Sequence, residues 1–372
     1  MEEGAATLDS PLRAETEAMG AVVTEVAGRS VAERFGEIAD EYRILRTEAG
    51  VADRADRAVI RVTGKDPVRM IQGLITNDLQ NGPIDRAVYA AMLTPKGRTI
   101  AELRALRLDR PAGTELLLEL PREALAGACA QLRKFVPPMF ARWADVSEEI
   151  GEIGVYGPRS RERLAAVVGE LPEMEEDDFV ELEWEGSTLQ LLSTRQAGGE
   201  EGFELLAPAP LLPALWRALV AGGARPVGRG ALEILRVEAG RPRSGAELSE
   251  EVIPTEAYEA IGMMPRAISF TKGCYTGQEV IVRIAHRGHV NRHLRGLLLG
   301  SIPIPERGTP LLNPASGKEV GRITTPVESP GVGQTIALGF VRREIVSGDE
   351  LRLGSLEGTV ARVVELPFQI AR

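Results

Sequence analysis

The chain has 372 residues, 44% hydrophobic and 26% charged, enough for a full apolar core in two or three domains. Its formal charge of -10 argues against general nucleic-acid binding, which needs Lys and Arg to neutralise phosphates. Two cysteines far apart, Cys129 and Cys274, fit a reducing cytosol rather than a disulfide framework; the acidic start MEEGAATLDS is no secretory signal, and no apolar run approaches the about 20 residues that span a bilayer, so a cytoplasmic protein outside the membrane is expected.

Residues 1–28 mix Ala, Glu, Thr and Gly with little apolar periodicity and read as a mobile N-terminal extension. Between Val31 and Glu48, Phe35, Ile38, Ala39, Tyr42 and Leu45 fall at helical spacing. Ala58–Val62 alternates like a strand. Asp66-Pro67 then opens a helix, with Asp as the cap and Pro at the first helical position, running to about Asp78. Val88–Leu93 and Thr99–Leu108 read as strands joined across the turn Pro95-Lys96-Gly97. A strand at Glu115–Leu120 and a helix from Pro121 to Phe135 follow. Next come a strand near Ile153–Tyr156, a helix from Ser160 to Val168, strands at Thr188–Ser193 and Phe203–Leu206, and helices at Leu211–Val220 and Ala231–Ala239. This interleaving predicts mixed α+β layers, not a doubly wound sheet. From about 290, short apolar runs alternate with Pro/Gly turns, the spacing of a small barrel or sandwich. A boundary near 285 divides residues 29–285 from 286–372.

The most informative segment is Lys272-Gly273-Cys274-Tyr275-Thr276-Gly277-Gln278-Glu279. It sets a potential nucleophile two positions after a cation, between glycines, and a nearby ammonium favours a reactive thiolate. The segment therefore reads as a turn displaying Cys274; the plain alternative is a small buried hydrophobe. His286, His289 and His293 would share a face only on a helix, whereas Val280, Val282 and Ile284 alternate like a strand, so surface histidines are expected rather than a metal site. Neither a GxxxxGK[ST] nor a GxGxxG loop is present, nor a GxSxG elbow. Arg283, Arg287, Arg292 and Arg295 form a local basic group that suits an anionic ligand tail.

The octapeptide resembles the signature of the YgfZ family, folate-binding proteins related to the glycine-cleavage T-protein (GcvT, aminomethyltransferase). The likeness extends over Gln72–Asp78, Gly199–Glu204, Ala231–Gly240, Ile253–Glu256, Ile268–Phe270 and Leu366–Phe368. It implies a T-protein-like fold, with ferredoxin-like α+β portions and a C-terminal small β-barrel around a central folate channel. It also implies tetrahydrofolate as ligand, with Glu204 accepting from the pteridine, Arg236 or the later arginines taking the glutamate tail, and Asp78, Tyr275 and Gln278 shaping the site. Cys274 would be the working thiol and Lys272 its tuning cation. YgfZ-like proteins support assembly or repair of iron–sulfur clusters, which makes iron–sulfur client enzymes or assembly proteins the implied partners. T-proteins carry an acidic pair in the hairpin where this chain has Ala101-Glu102, a difference that counts against glycine cleavage and leaves enzymatic activity open. A folate-dependent aminomethyl or other one-carbon transferase or demethylase, and a non-catalytic folate-regulated interaction protein, are the alternatives.

Overall fold

The computed structural model describes residues 7–195 and 201–370. The chain divides into two compact units, one of Met1–Leu74, Asp78–Ala90 and Leu103–Leu232, the other of Ile75–Asn77, Ala91–Glu102 and Glu233–Arg372.

Two sheets form the α+β part of the chain. One has five strands in the order Val88–Leu93, Thr99–Arg110, Gly113–Pro121, Arg57–Gly64, Ala141–Asp145; the other has six, in the order Phe179–Trp184, Ser187–Thr194, Gly202–Pro208, Ile150–Tyr156, Gly50–Asp53, Arg225–Pro226. Successive residues of a strand face opposite ways, and the six-stranded sheet uses both faces. Leu191 and Leu205 pack with Leu215, Trp216 and Leu219 of the helix Leu212–Ala221. Their neighbours Leu192 and Leu206 pack with Val59, Leu106 and Leu117 of the five-stranded sheet.

That inter-sheet layer also holds charge. Arg104 shares the face of Leu106, and its Nε donates to Glu119 Oε2 at 2.7 Å while Nη2 pairs with Glu204 on the other sheet. Arg57 pairs with the second Glu119 oxygen. Arg54 Nη1 and the Tyr156 hydroxyl donate to Glu204 Oε1 at 2.9 and 2.8 Å. Burial alone would raise the Glu119 carboxyl, but Arg104 and Arg57 outweigh it and hold the group at about 2. Glu152, beside them and equally buried, is driven well above the usual carboxylate range, first by burial and then by Glu119 and Glu204.

In the second unit six strands close a barrel in the order Arg292–Gly300, Gln334–Arg342, Glu319–Ser329, Pro310–Leu312, Glu350–Leu353, Val360–Val364. Inward residues Leu297, Leu299, Ile323, Val341, Leu351 and Val363 fill it. Short helices Pro254–Tyr258 and Met264–Ala267 and the longer Gln278–Arg287 precede the barrel. Among the described residues no helix is long and apolar enough to cross a membrane.

Several segments differ from expectation. Residues 1–6 of the extension lie outside the described residues, but from Leu8 the chain is structured: Leu12 is fully buried in the core with Trp216, followed by the helix Arg13–Ala18. Backbone bonds between Leu8 and Gly28 and Ser30 join that anchor, contacts that composition does not show. Within the helix expected from Val31, the chain first forms the strand Arg29–Arg34 and only then the helix Ile38–Thr47. Pairing with Val22–Val26 claims Val31, and Glu41 Oε1 accepts from the amides of Phe35 and Gly36 at 2.6 and 2.9 Å, which turns the chain between the two elements. Residues 280–284, expected as a strand, lie in the helix Gln278–Arg287, which Gly277 starts from the left-handed region at φ +82°. The strand Phe179–Trp184 was legible in its alternation of Phe179, Glu181 and Glu183 with Val180, Leu182 and Trp184, but did not enter the expected set.

Replacing Arg104 by Met leaves Glu119 and Glu204 short of a buried partner. We expect a loss of about 3–5 kcal/mol, read as a lower urea midpoint of the first unit by circular dichroism.

Candidate functional site

The octapeptide forms a turn held from three sides within the second unit. Lys272 is buried, and its ammonium donates to the carbonyls of Ile75 and Asn77, each at 2.7 Å, while lying 5.1 Å from the centre of the Tyr275 ring. Thr76, between those carbonyls, is itself fully buried; its hydroxyl donates to Ala267 O at 2.7 Å and accepts from Ala91 N at 2.9 Å. The hairpin tip supplies the third support. A Cβ on Gly277 would meet Thr94 O at 2.6 Å, and one on Gly97 would meet the Val280 side chain at 2.8 Å, so both glycines are required for close approach.

This frame leaves Cys274 exposed at the tip of the turn, beside Gly273, around whose missing Cβ the space is open. Tyr275 points inward and is buried, and its hydroxyl has no hydrogen-bond partner. Burial pushes its pKa up to about 12. Gln278 is half-buried at the first position of the helix Gln278–Arg287. Lys272, Cys274, Tyr275 and Gln278 are thus brought together in one turn, with the Lys272 ammonium directed at the backbone of 75–77. The motif Gln72–Asp78 was visible in the sequence; that two of its carbonyls would receive Lys272 was not.

The other expected site residues already have partners. Asp78, in the first unit, accepts from Gln72 Nε2 at 2.9 Å and from the Asn81 amide at 3.1 Å, closing its own loop. Glu204, also in the first unit, is fully buried under Arg54, Arg104 and Tyr156, the two arginines holding its carboxyl below the usual range against the effect of burial. Arg236, in the second unit, makes a fork with Glu233 at 2.8 Å through Nε and Nη2 and donates through Nη1 to Glu247 at 2.8 Å. Ala101 is fully buried, and Glu102 accepts from Ser244 N at 2.8 Å. Of the later arginines, Arg283 is exposed, Arg292 pairs with Glu256 at 3.2 Å, and Arg295 lies 3.8 Å from Glu365; the Arg287 side chain, like residues Gly199 and Glu200, lies outside what is described. His286 meets the Phe270 ring edge-on at 6.5 Å and His293 sits 3.7 Å from Glu259. Among the described residues no three His, Cys, Asp or Glu side chains gather as a metal site.

A family model described as the GCVT N-terminal domain matches residues 12–265, and one described as the glycine cleavage T-protein C-terminal barrel domain matches residues 292–369. The chain belongs to the glycine cleavage T-protein family. It is 32% identical to the aminomethyltransferase of Moorella thermoacetica, over 96% of this chain and 97% of that protein. It is 30% identical to the aminomethyltransferase of Rubrobacter xylanophilus, over 96% and 93%. The crystal structure of the glycine cleavage system aminomethyltransferase T from Bartonella henselae superposes with a TM-score of 0.84 over 98% of both chains at 20% identity, so the fold is shared. The T-protein family uses tetrahydrofolate. In this T-protein relative the unpartnered, buried Tyr275 hydroxyl retains its capacity for a polar ligand group, whereas the hydrogen-bonding capacity of Glu204 and Arg236 is largely taken up inside the protein.

An aromatic disulfide reagent should label Cys274 quickly in the native protein and Cys129 slowly, because Cys129 is half-buried and burial pushes its thiol up; two equal rates would contradict this placement. Tyr275→Phe should leave the melting temperature unchanged or slightly higher, since it removes an unsatisfied hydroxyl. Lys272→Met should lower stability by about 1–3 kcal/mol by stranding two carbonyls.

Proposed function

We propose that this chain binds tetrahydrofolate and acts as a folate-dependent aminomethyl or related one-carbon transferase. The observation that carries this reading is end-to-end similarity to aminomethyltransferases, 32% over 96% of the chain. When bound, tetrahydrofolate supplies the amine nitrogens that carry a one-carbon unit. On this chain's side, we assign the ligand contact to the turn of Cys274, Tyr275 and Gln278, whose buried Tyr275 hydroxyl has a free hydrogen-bonding capacity. Lys272 fixes their turn, and Arg236, in the same unit, is held by Glu233 and Glu247. Ala101 offers no carboxylate in the hairpin and Glu102 accepts from Ser244 N, so the proton-handling group of this reading lies elsewhere than at the hairpin acid.

A second reading rests on Cys274 itself. Its exposure within the complete Lys-Gly-Cys-Tyr-Thr-Gly-Gln-Glu turn, together with Ala101, favours a YgfZ-like role, in which folate binding supports iron–sulfur clusters in client enzymes. One thiol is too few to hold a cluster, for which four ligands are usual, so any contact with one would be shared with the client.

Anaerobic calorimetric titration with tetrahydrofolate, followed by a turnover assay with an aminomethyl donor, separates these readings. Saturable binding near one-to-one with turnover supports the transferase. Binding without turnover, combined with loss of iron–sulfur enzyme activity in cells carrying Cys274→Ser, moves the assignment to the YgfZ-like role. Absence of binding overturns both.

A further inference from the structure

Glu152 lies on the strand Ile150–Tyr156 and is 3% exposed, and neither of its carboxyl oxygens meets a hydrogen-bond donor among the described residues. The cations of its layer are engaged elsewhere: Arg54 with Asp56 and Glu204, Arg57 with Glu119, and Arg104 with Glu119 and Glu204. Tyr156, two residues on, donates to Glu204. Three guanidinium groups thus face three carboxylates, and Glu152 is a fourth acid with no counter-charge. A buried carboxyl in that position holds its proton, because an isolated charge there would be far more costly. Burial first, then Glu119 and Glu204, push it in that direction.

Glu152 lines a small internal cavity of about 20 Å³, room for one water. Asp53, Arg122 and Ser147 line it too, each with partners. Asp53 accepts from Ala55 N at 3.0 Å and from the Ser10 hydroxyl. Arg122 donates to the carbonyls of Ala55 and Arg57 at 3.1 and 3.3 Å, and Ser147 donates to Asp145 at 2.6 Å. The N-terminal segment adds Pro11 and Arg29 to the wall. Arg29 is buried; Nη1 donates to Asp9 O and Nη2 pairs with Glu148, while Nε has no partner. The strands Val22–Val26 and Arg29–Arg34 form a two-stranded sheet of their own. Bonds of Leu8 with Gly28 and Ser30, the Ser10–Asp53 bond and the buried Leu12 hold this segment in place.

We propose that the N-terminal segment is a proton-sensitive cover, closed while Glu152 carries a proton and loosened when Glu152 ionises. The neutral carboxyl needs no more than the single water its cavity admits. The ionised carboxylate needs a cation or several waters. Arg29 serves it by leaving Asp9 and Glu148, contacts that hold the segment. Water enters most easily past Pro11 and Arg29, since the other walls belong to the two large sheets and the helices packed on them. Either response releases the cover. Because the folded protein holds the proton more tightly than the unfolded chain, closure is strongest in acid and is lost as pH rises through the raised value. Asp53, raised to about 6 by burial, acts in the same direction at the same cavity, although its donors Ser10 and Ala55 N favour its ionised form.

The test is amide hydrogen exchange of the full chain from mildly acid to mildly alkaline pH, corrected for intrinsic rates. The amides of Leu8, Thr16 and Ser30 bond within the segment at 2.9, 2.9 and 3.0 Å. They should lose about tenfold or more of their protection on the alkaline side, while those of the central strand Gly113–Pro121 keep theirs. Glu152→Gln, uncharged at every pH, should retain that protection, and Asp53→Asn should remove only the part of the loss near pH 6. The unmutated protein gives a second reading. Its infrared spectrum should show a protonated carboxyl at neutral pH, fading over the range in which the segment loses protection. Loss of protection that is equal in Glu152→Gln, loss that spreads at the same pH to Gly113–Pro121, or no protonated-carboxyl band at neutral pH would overturn the proposal.

Discussion

Arg104 bridges two carboxylates that come from different sheets, Glu119 on its own and Glu204 on the other, in a layer from which water is excluded. Buried ion pairs often gain little over well-packed apolar residues, because desolvation offsets their attraction. Their leverage here is over register. A one-residue slip of any strand would turn its side chains to the opposite face and leave guanidinium and carboxylate groups buried without each other. A leucine of the same layer needs no particular partner, whereas each member of the Arg54, Arg57, Arg104, Glu119, Glu204 set does. Glu152, raised well above the usual carboxylate range by burial and by its two acidic neighbours, lies in the same layer.

The second unit meets a different requirement, an exposed thiol on a rigid support. A lysine two positions before a cysteine invites a purely electrostatic reading. The geometry gives that lysine a mechanical task instead: its ammonium joins the turn to the carbonyls of Ile75 and Asn77. With Gly277 pressed against the hairpin tip, the turn is held at both ends and the thiol between them faces outward. Rigidity and exposure are thus supplied by neighbouring residues of one short motif.

Local sequence was most reliable where the backbone chemistry is local. The Pro95-Lys96-Gly97 turn, the Asp66-Pro67 helix start and the helix Ser160–Val168 all lie where the pattern places them. It misled where a distant segment intervened. Val31 belongs to a strand because Val22–Val26 pairs with it, and Leu12 orders an otherwise featureless start because Trp216 receives it. At 280–284 three alternating apolar residues suggested a strand, yet the glycine cap at 277 begins a helix whose Ile281 is fully buried.

What the sequence determined by itself was the T-protein superfamily, the α+β and barrel texture, and the turn around Cys274, since these depend on ordered motifs and short-range periodicity. Only the tertiary structure decided which polar groups are already satisfied. Glu204 and Arg236 look like ligand-binding residues in a linear reading because a carboxylate or guanidinium carries no record of its partners. Folding brings Arg54, Arg104 and Tyr156 to Glu204, and Glu233 and Glu247 to Arg236. The same process leaves the Tyr275 hydroxyl and the Glu152 carboxyl unpartnered. Hydrogen-bond capacity is a property of the assembled neighbourhood, because it depends on which donors and acceptors the fold brings within about 3 Å of one another.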